Sequence, residues 1–383
     1  MTDIIIYVHD LRSSGVVRDA IRLADHCAER HRVTLVAGHG DGFFREAAGQ
    51  GRHDFVALCE GCRSPVAMKL HAAAAFRRWL AGRRPSLIVS MGNMGHATPF
   101  LACLGSRRHA RVYRISNEIA RGDGLRGALR TIWMKTLIAD AVSVPLVGAA
   151  LARNPIFAEA LADGRAVEMR SGVDLAEARD KAKAPSPHRW LDEDVPVVLA
   201  IGRLRPQKNH ELLIAAMARI DRPARLVILG GGSEEERARY TTLAATAGLS
   251  DDRFLLAGET DNVFAWLSRA QLFALPSRWE GSSVALIEAM AVGTPIVAST
   301  LAGDAGVVLD NGRYGRLFGG EDPDALARAV EDQLSDRVIR PGDRASAYGS
   351  PDDAYRALFE QLLAAKTVDE SSMTRAVAEL SSN

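Results

Sequence analysis

The chain has 383 residues, more than one compact core usually contains, so two domains are expected. With 47% hydrophobic and 25% charged residues and a mean hydropathy of -0.04, the composition is typical of a soluble α/β protein. It contains no apolar run of 18 or more residues that would predict a transmembrane helix. The first residues, MTDIIIYVHD, lack the basic segment and cleavage site of a secretory signal. We therefore expect a cytoplasmic protein.

The charge is divided unevenly along the chain. Residues 1–186 contain 27 Lys+Arg and 18 Asp+Glu, a net charge of +9, while the remainder has 21 and 29, a net charge of −8. A basic first half and an acidic second half suggest different partners for each. The alternative is drift in solvated surface charge.

In the first half, strand-like and helix-like segments alternate. The strand-like segments include DIIIYVHDL, RVTLVAG, DFVALC, SLIVSMGN, ARVYRISN, AVSVP and AVEMR. The helix-like segments between them include VVRDAIRLADHCAERH, VAMKLHAAAAFRRWLAG and GLRGALRTIWMKTLIAD. Such alternation predicts a parallel sheet covered by helices, and hence one doubly wound domain over residues 1–183.

A second series of the same kind follows a charged, proline-rich linker at residues 180–196. Its strand-like segments are VPVVLAIGRL, ARLVILGGG, RFLLAGE, LFALPS and PIVAST, separated by segments such as HELLIAAMARI and SVALIEAMAVG. We predict a second doubly wound domain over residues 184–349. Ligands of open α/β sheets bind beyond the carboxyl ends of the strands, so the cleft between the two domains is the expected site.

The cysteines give little indication of a metal or disulfide framework. Cys59 and Cys62 form a lone C-x2-C. A metal or redox site is the alternative, but no second ligand pair follows, so we interpret them as two reduced thiols.

The stretch PSRWEGSSVALIEAM contains two glutamates, Glu280 and Glu288, with seven residues between them. Ser283 is a candidate cap for a helix that starts at Val284, which places Glu280 in the preceding loop and Glu288 inside the helix. The backbone amides of residues 281–283 would form an anion site at the helix N-terminus. The two carboxylates could accept hydrogen bonds from sugar hydroxyls; alternatively, a buried arginine pairs with the buried glutamate.

Two further strand ends contain groups suited to an anionic ligand. Arg203 and Lys208 follow the strand VVLAIG, where they could neutralise a diphosphate. Gly230, Gly231 and Gly232 end the strand VILGGG and would let the backbone approach a ligand closely. Each signal alone also fits an ordinary solvated loop, whereas three strand ends that converge on one anion favour a binding site.

These motifs together resemble the retaining glycosyltransferases of family four, which have the two-domain GT-B fold. The resemblance covers residues 197–335 and is carried by GRLRPQKN, VILGGGSEEERARY, DNVFAWLSRAQLFALPSRWEG, the paired glutamates of EGSSVALIE, and EAMAVGTPIVAST. Across the first half it is weaker, and depends on the SSG loop, the VYRISNE strand and MRSGVD. It also implies that a last helix, DDAYRALFEQLLAAK in residues 350–366, returns to the first domain.

The resemblance implies roles for individual residues. Arg203 and Lys208 would bind the donor diphosphate, Glu288 the ribose hydroxyls, and Glu280 the hydroxyls of the donor sugar. The other donor-binding residues it implies are Gly15 in the first-domain loop, Gly258 near the base, and the loop residues Gly281, Ser282, Ser283 and Val284. Arg203, Lys208 and Glu280 would be the catalytic residues.

The resemblance also implies the chemistry. A sugar would pass from a nucleotide donor, expected to be a UDP-sugar, to an acceptor with retention at the anomeric carbon, as in the hexosyltransferase class. No cofactor and no metal are expected, and the two D-x-D triplets starting at Asp192 and Asp322 are interpreted as solvated acids. The setting would be polysaccharide, lipopolysaccharide or glycolipid assembly. The alternatives are a non-enzymatic module that binds a sugar nucleotide or a partner, and a GT-B-type nucleotide-sugar epimerase.

The chain departs from the family where an acceptor would bind. Many relatives have a histidine at the end of the strand VYRISNE, where this chain has Ser116 and Asn117. His96, at another strand's end, could face the cleft, but a histidine at a helix start or in packing is the favoured interpretation. These changes leave the expected donor site intact and the acceptor undefined.

A membrane surface is a further candidate partner. The helix GLRGALRTIWMKTLIAD combines arginines and a lysine with apolar side chains, which would suit an anionic lipid surface at the inner face of the plasma membrane, next to a lipid-linked acceptor. A helix packed on its sheet with a solvated basic face is the slightly favoured interpretation. No nucleic acid is expected, because the basic residues are not part of a recognisable binding module.

Overall fold

The computed structural model describes residues 3–12, 14–60, 65–116, 124–335 and 337–365. In the first part of the chain, strands and helices alternate as the sequence predicts. The strands are β1 (Asp3–Val8), β2 (Arg32–Ala37), β3 (Asp54–Ala57), β4 (Ser86–Met91), β5 (Ala110–Arg114), β6 (Val144–Val147) and β7 (Ala166–Met169). The helices are α1 (Gly15–Ala28), α2 (Arg45–Gly49), α3 (Pro65–Ala81), α4 (Ala97–Ala102), α5 (Leu125–Asp140), α6 (Ala149–Ala152), α7 (Ala158–Ala162) and α8 (Leu175–Lys181).

The second part of the chain repeats this alternation. Its strands are β8 (Val197–Ile201), β9 (Arg225–Leu229), β10 (Phe254–Gly258), β11 (Leu272–Leu275), β12 (Ile296–Ser299) and β13 (Arg316–Phe318). Its helices are α9 (His210–Met217), α10 (Glu234–Thr246), α11 (Val263–Leu267), α12 (Val284–Ala291), α13 (Ala305–Val308) and α14 (Pro323–Gln333). A last helix, α15, covers 352–365.

Each half forms a parallel sheet. The first sheet has the strand order β3-β2-β1-β4-β5, and the second has the order β10-β9-β8-β11-β12-β13. Strands β6 and β7 pair with each other and join the edge of the first sheet through isolated bridges, Val112 with Ser143 and Ile115 with Leu146. The predicted fold class, two doubly wound Rossmann-like domains, is confirmed. In each sheet the strand order reverses beside the first strand, β1 or β8, and such a reversal opens a crevice at the carboxyl ends.

The two chain passages between the domains lie side by side. The backbone amide of Val173 donates to the carbonyl of Tyr348 at 3.1 Å. A Cβ on Gly172 would lie 1.9 Å from the carbonyl oxygen of Gly349, so only glycine fits at residue 172. Val173 and Ala178 are buried in the core of the second domain, although the predicted boundary lies after them, at residue 183.

Helix α15 packs on the first domain after the chain has left the second. Tyr355, Phe359 and Leu363 are buried in the core formed by β1, β2 and α1. Arg22 of α1 donates to Asp352 at 2.8 Å, and Arg114 at the end of β5 donates to the hydroxyl of Tyr355 at 2.8 Å. The chain therefore passes from the first domain to the second and back.

Two sequence-based expectations concern single features. Cys59 is disulfide-bonded, so the prediction that it is a reduced thiol is wrong, and Cys62 lies outside the described residues. Asp322 accepts from the amide of Asp324 at 2.9 Å and caps α14.

Among the described residues, no helix has both the length and the apolar character that crossing a bilayer requires.

Candidate functional site

A cavity of about 200 Å³ lies between the carboxyl ends of the two sheets. Eight of the predicted site residues line it, one from the first domain and seven from the second: Gly15, Arg203, Lys208, Glu280, Ser282, Ser283, Val284 and Glu288. Two do not line it, namely Gly258 and Gly281. Glu259 and Thr260, which directly follow β10, line the cavity where we expected the backbone of Gly258.

Glu280 lies in the loop after β11, and three neighbouring side chains hold its carboxylate. Its Oε1 accepts from Lys208 Nζ at 2.6 Å and from Ser277 Oγ at 2.7 Å, and Gln207 Nε2 lies 3.5 Å from Oε2. The side chain is only 7% exposed. Gln207 also donates to the carbonyl of Trp279 at 3.0 Å, which fixes the loop itself. The carboxylate is therefore oriented before any ligand arrives, and Oε2 retains capacity to accept a further hydrogen bond.

Arg203 differs from the other cations of the cavity. Lys208 pairs with Glu280, and Arg114 pairs with Asp19 at 2.9 Å. Arg203 forms no ion pair with any carboxylate in the described ranges. Burial lowers the pKa of Arg203, and the nearby positive charge of Arg12 lowers it further. The charge of Asp10 opposes this change but forms no ion pair with Arg203. A cleft arginine without an ion pair among the described residues is suited to binding an anion.

Glu288 lies on α12 and is 3% exposed. Its Oε1 accepts from a guanidinium Nη1 of Arg18, which belongs to the first turn of α1 in the other domain. A buried carboxylate requires such a partner because desolvation penalises its charge. The sequence left an arginine partner open as the alternative to a ligand, and the structure contains that partner across the cleft.

Helix α12 begins at Val284, as predicted, with Ser283 at the N-cap. The Ser283 side chain makes no capping hydrogen bond, and its buried Oγ has no partner among the described residues. The expected side-chain cap is therefore wrong, and the hydroxyl remains available to a group in the cavity.

Three first-domain residues that sequence reasoning did not select have buried polar atoms at the same cavity. Arg114 Nη1, Ser116 Oγ and Ser171 Oγ lack a hydrogen-bond partner in the part of the chain that is described, and all three residues line the cavity. Buried polar groups are normally satisfied, so atoms without a partner on residues that line one cavity could be satisfied there by a ligand or water. Arg114 is the last residue of β5 and Ser116 follows it. Their position at the end of a strand is the sequence feature that could have identified them as site residues.

Asp304 lies behind the loop of residues 280–283. Its Oδ2 is 3.3 Å from the position of a Cβ on Gly148, a first-domain residue with φ +99°. Burial raises the pKa of Asp304 to about 6, while a hydrogen bond from the Ser282 side chain opposes that change. The carboxyl is thus placed where the two domains meet.

His96 lies in the interior of the first domain and does not line the cavity. Its Nδ1 is 2.8 Å from Ser90 Oγ, its ring packs edge-on against Tyr113, and it is 1% exposed. Burial lowers the pKa of His96 to about 3, so the ring is neutral. The favoured interpretation of His96 as a packing histidine at a helix start therefore holds, and the side chain does not face the cleft. Asn117 lies outside the described residues.

The second domain matches a known family in sequence. Residues 195–336 match the family model described as "Glycosyl transferases group 1". A D-inositol 3-phosphate glycosyltransferase of Streptosporangium roseum is 34% identical over 212 residues, which cover 51% of this chain and 48% of that protein. A GDP-mannose-dependent alpha-(1-6)-phosphatidylinositol monomannoside mannosyltransferase of Mycobacterium tuberculosis is 32% identical over 208 residues, covering 51% of this chain and 52% of that protein. The chain thus spans about half the length of these curated relatives.

Solved structures match over nearly the whole chain. Sucrose-phosphate synthase from Thermosynechococcus elongatus has a TM-score of 0.75 at 19% identity and covers 95% of this chain and 100% of its own. Anabaena HepE in complex with UDP and glucose has a TM-score of 0.74 at 17% identity and covers 96% of this chain and 100% of its own. The protein has the GT-B fold, with the cavity in the cleft between its two Rossmann-like domains.

Proposed function

We propose that the protein is a glycosyltransferase that moves a sugar from a nucleotide-sugar donor to an acceptor in polysaccharide, lipopolysaccharide or glycolipid assembly. The observation that carries this proposal is Arg203, a cation without an ion pair in the described chain, in one cavity with Glu280 and Glu288. The match of residues 195–336 to a glycosyltransferase family model supports it.

The donor diphosphate would contact Arg203 and Lys208. These cations would stabilise the negative charge that develops on the leaving phosphate. The amides at the N-terminus of α12 and the Ser283 hydroxyl would add hydrogen bonds. Glu280, already fixed by Lys208 and Ser277, would accept from hydroxyls of the donor sugar, and Glu288 would accept from the ribose.

We propose transfer with retention by a front-face route. The acceptor oxygen would form its bond to the anomeric carbon while the bond from that carbon to the phosphate oxygen breaks. The acceptor proton would pass to the leaving phosphate. The positive groups around the phosphate favour this departure, and no bound metal is required. Measuring the anomeric configuration of the product by NMR would test retention, and an inverted product would contradict it.

The donor is proposed to be a UDP-sugar. Solved HepE complexes contain UDP or UDP-glucose, whereas some sequence relatives use GDP-mannose. Isothermal titration with UDP, GDP, ADP and TDP, repeated on Arg203→Ala, tests the site and identifies the base. We expect one nucleotide to bind and the variant to weaken it. If none binds the wild type, the donor site is wrong.

We also propose that the acceptor is presented at an anionic membrane. Leu125, Leu129 and Ile132 of α5 are 76%, 56% and 61% exposed and lie on one face of the helix. The exposed basic residues that accompany them on α5 are Arg126, Arg130 and Lys135. An apolar face with basic flanks is suited to the headgroup region of an anionic bilayer.

Sedimentation with lipid vesicles tests this membrane proposal. We expect binding to vesicles that contain phosphatidylglycerol but not to phosphatidylcholine alone. Leu129→Gln with Ile132→Gln should abolish binding. Leu301→Gln, at a 43% exposed second-domain residue, is the control. Equal binding by the double variant and the wild type would refute the membrane contact.

The rival functions predict different products. An epimerase would convert a sugar nucleotide without any acceptor, and a non-enzymatic module would bind it without turnover. Incubation with the identified donor in the absence of an acceptor, followed by chromatography, separates these outcomes. We expect no epimerised nucleotide.

A further inference from the structure

We infer that Arg18 is a donor-binding residue that exchanges partners: it neutralises Glu288 in the structure described above and contacts the donor diphosphate once the ribose occupies Glu288. This inference rests on the proposed function and adds a residue to the site. The juxtaposition that carries it is the ion pair between Arg18 on α1 and Glu288 on α12, across the cavity.

Arg18 lines the part of the cavity where the N-terminus of α1 could bind a phosphate. Ser14, Gly15 and Val16 at the start of α1 line the same cavity, and Gly15 meets the second domain, where a Cβ would lie 4.0 Å from Val284 Cγ2. The N-terminus of a 14-residue helix presents free amides and a positive dipole to an anion. The guanidinium of Arg18 projects from the first turn beyond these amides.

The Arg18 side chain can change partner at lower cost than Glu288 can. Its side chain is 33% exposed, against 4% for that of Glu288. In the described ranges, Glu288 is the only carboxylate in ion-pair contact with Arg18. A solvated arginine on a flexible stem moves readily, whereas the buried glutamate is fixed by the packing of α12.

The hydrogen-bonding groups and charges at the cavity are compatible with this exchange. Ribose hydroxyls can satisfy the carboxylate of Glu288 by hydrogen bonds, which displaces Arg18 from it. The other paired cations at the cavity remain held, Lys208 by Glu280 and Arg114 by Asp19. A diphosphate brings about two negative charges. Arg203 and Lys208 are its proposed partners, and the released Arg18 would join them, whereas Lys208 also keeps its pair with Glu280.

Comparison of a nucleoside with its diphosphate separates this role from a merely structural one. We would titrate the wild type and Arg18→Ala with whichever nucleoside diphosphate binds, and then with the matching free nucleoside. Loss of a charge-assisted contact should weaken diphosphate binding roughly tenfold. Binding of the nucleoside should be unchanged or tighter, because Arg18 no longer competes with ribose for Glu288.

Two outcomes would overturn the inference while leaving the donor site intact. One is equal diphosphate affinity in Arg18→Ala and wild type. The other is equal weakening of nucleoside and diphosphate, which would mean that Arg18 only orients Glu288. If the wild type binds no nucleotide, the proposed function itself fails and the inference fails with it.

Two further variants protect the test against misfolding. Arg18→Lys retains the charge and should keep part of the difference between diphosphate and nucleoside affinity. Arg30→Ala removes a 62% exposed arginine beyond the other end of α1, and it should leave both affinities unchanged. If Arg18→Ala fails to fold, a difference between diphosphate and nucleoside affinity in Arg18→Lys that equals the wild-type difference overturns the inference.

Discussion

Lys208 Nζ lies 2.6 Å from Glu280 Oε1, so the cation proposed for the donor diphosphate and the carboxylate proposed for the donor sugar form one unit. The hydroxyl of Ser277 also donates to Glu280 Oε1. The Glu280 side chain is 7% exposed and that of Lys208 is 21% exposed, so the contact is largely shielded from water. A change at one residue therefore affects the position of the other.

Lys208→Ala should destabilise the fold more than Arg203→Ala does. Removal of Lys208 leaves the buried carboxylate of Glu280 without its cation, at a cost of roughly 3 kcal/mol. Arg203 pairs with no carboxylate in the described chain, so its removal leaves no such charge. Urea unfolding of both variants measures the free energies; equal values would contradict the coupling.

Arg203→Ala should weaken nucleoside diphosphate binding by about 10- to 100-fold, the value of a hydrogen-bonded charge contact. Arg205→Ala is the matched control, since its side chain is 54% exposed and pairs with Glu236 at 2.7 Å. Isothermal titration measures both affinities. If the two variants lose affinity equally, the effect is one of general charge and not of a specific contact.

Glu280→Gln should reduce kcat roughly 100-fold with little change in nucleoside diphosphate affinity, because misplacing the donor sugar lowers the rate more than the binding. The amide keeps the size of the carboxylate and an oxygen that can accept from Lys208. Steady-state kinetics with the sugar nucleotide measures kcat, and titration with the nucleoside diphosphate measures its affinity. A large loss of nucleoside diphosphate affinity would place Glu280 at the phosphates.

Asp304→Asn should stabilise the protein above pH 6 and have little effect below pH 4. Burial raises the pKa of Asp304 from 3.8 to about 6. Between these values the folded state binds more protons than the unfolded state, so this group lowers stability as pH rises through the window. The gain at pH 7.5 is at most about 3 kcal/mol.

Chemical denaturation of wild type and Asp304→Asn at pH 4 and pH 7.5 tests this. Asparagine retains an oxygen that can accept from Ser282, so the hydrogen bond is kept. Destabilisation at pH 7.5 would show that the ionised carboxylate is needed where the domains meet.

Much of the fold could be predicted from the sequence because its signals are local. Apolar segments such as DIIIYV specify buried parallel strands, and Gly293 with Pro295 ends the helix that begins at Val284. The second-domain face of the cavity was predictable for the same reason, since Arg203, Lys208 and Glu280 each follow a strand.

The first-domain face of the cavity was not predictable in this way. Arg18 lies in the first turn of an ordinary helical pattern, 270 residues from Glu288, and only the packing of two domains brings them together. The side-chain oxygens of Ser116 and Ser171, which have no hydrogen-bond partner among the described residues, likewise become informative only once their burial is known. His96 showed the converse, because its place after a strand suggested the cleft although the side chain points into the core.

The contact between Gly172 and Gly349 has a consequence for how this chain is assembled from its parts. Because α15 belongs to the core of the first domain, residues 173–348 leave and re-enter that domain at one point. In topological terms the second domain is inserted within the first, and the two ends of the second domain lie next to each other. A segment with adjoining ends and its own core has what independent folding requires. The first domain, by contrast, is complete only when the last helix has been synthesised.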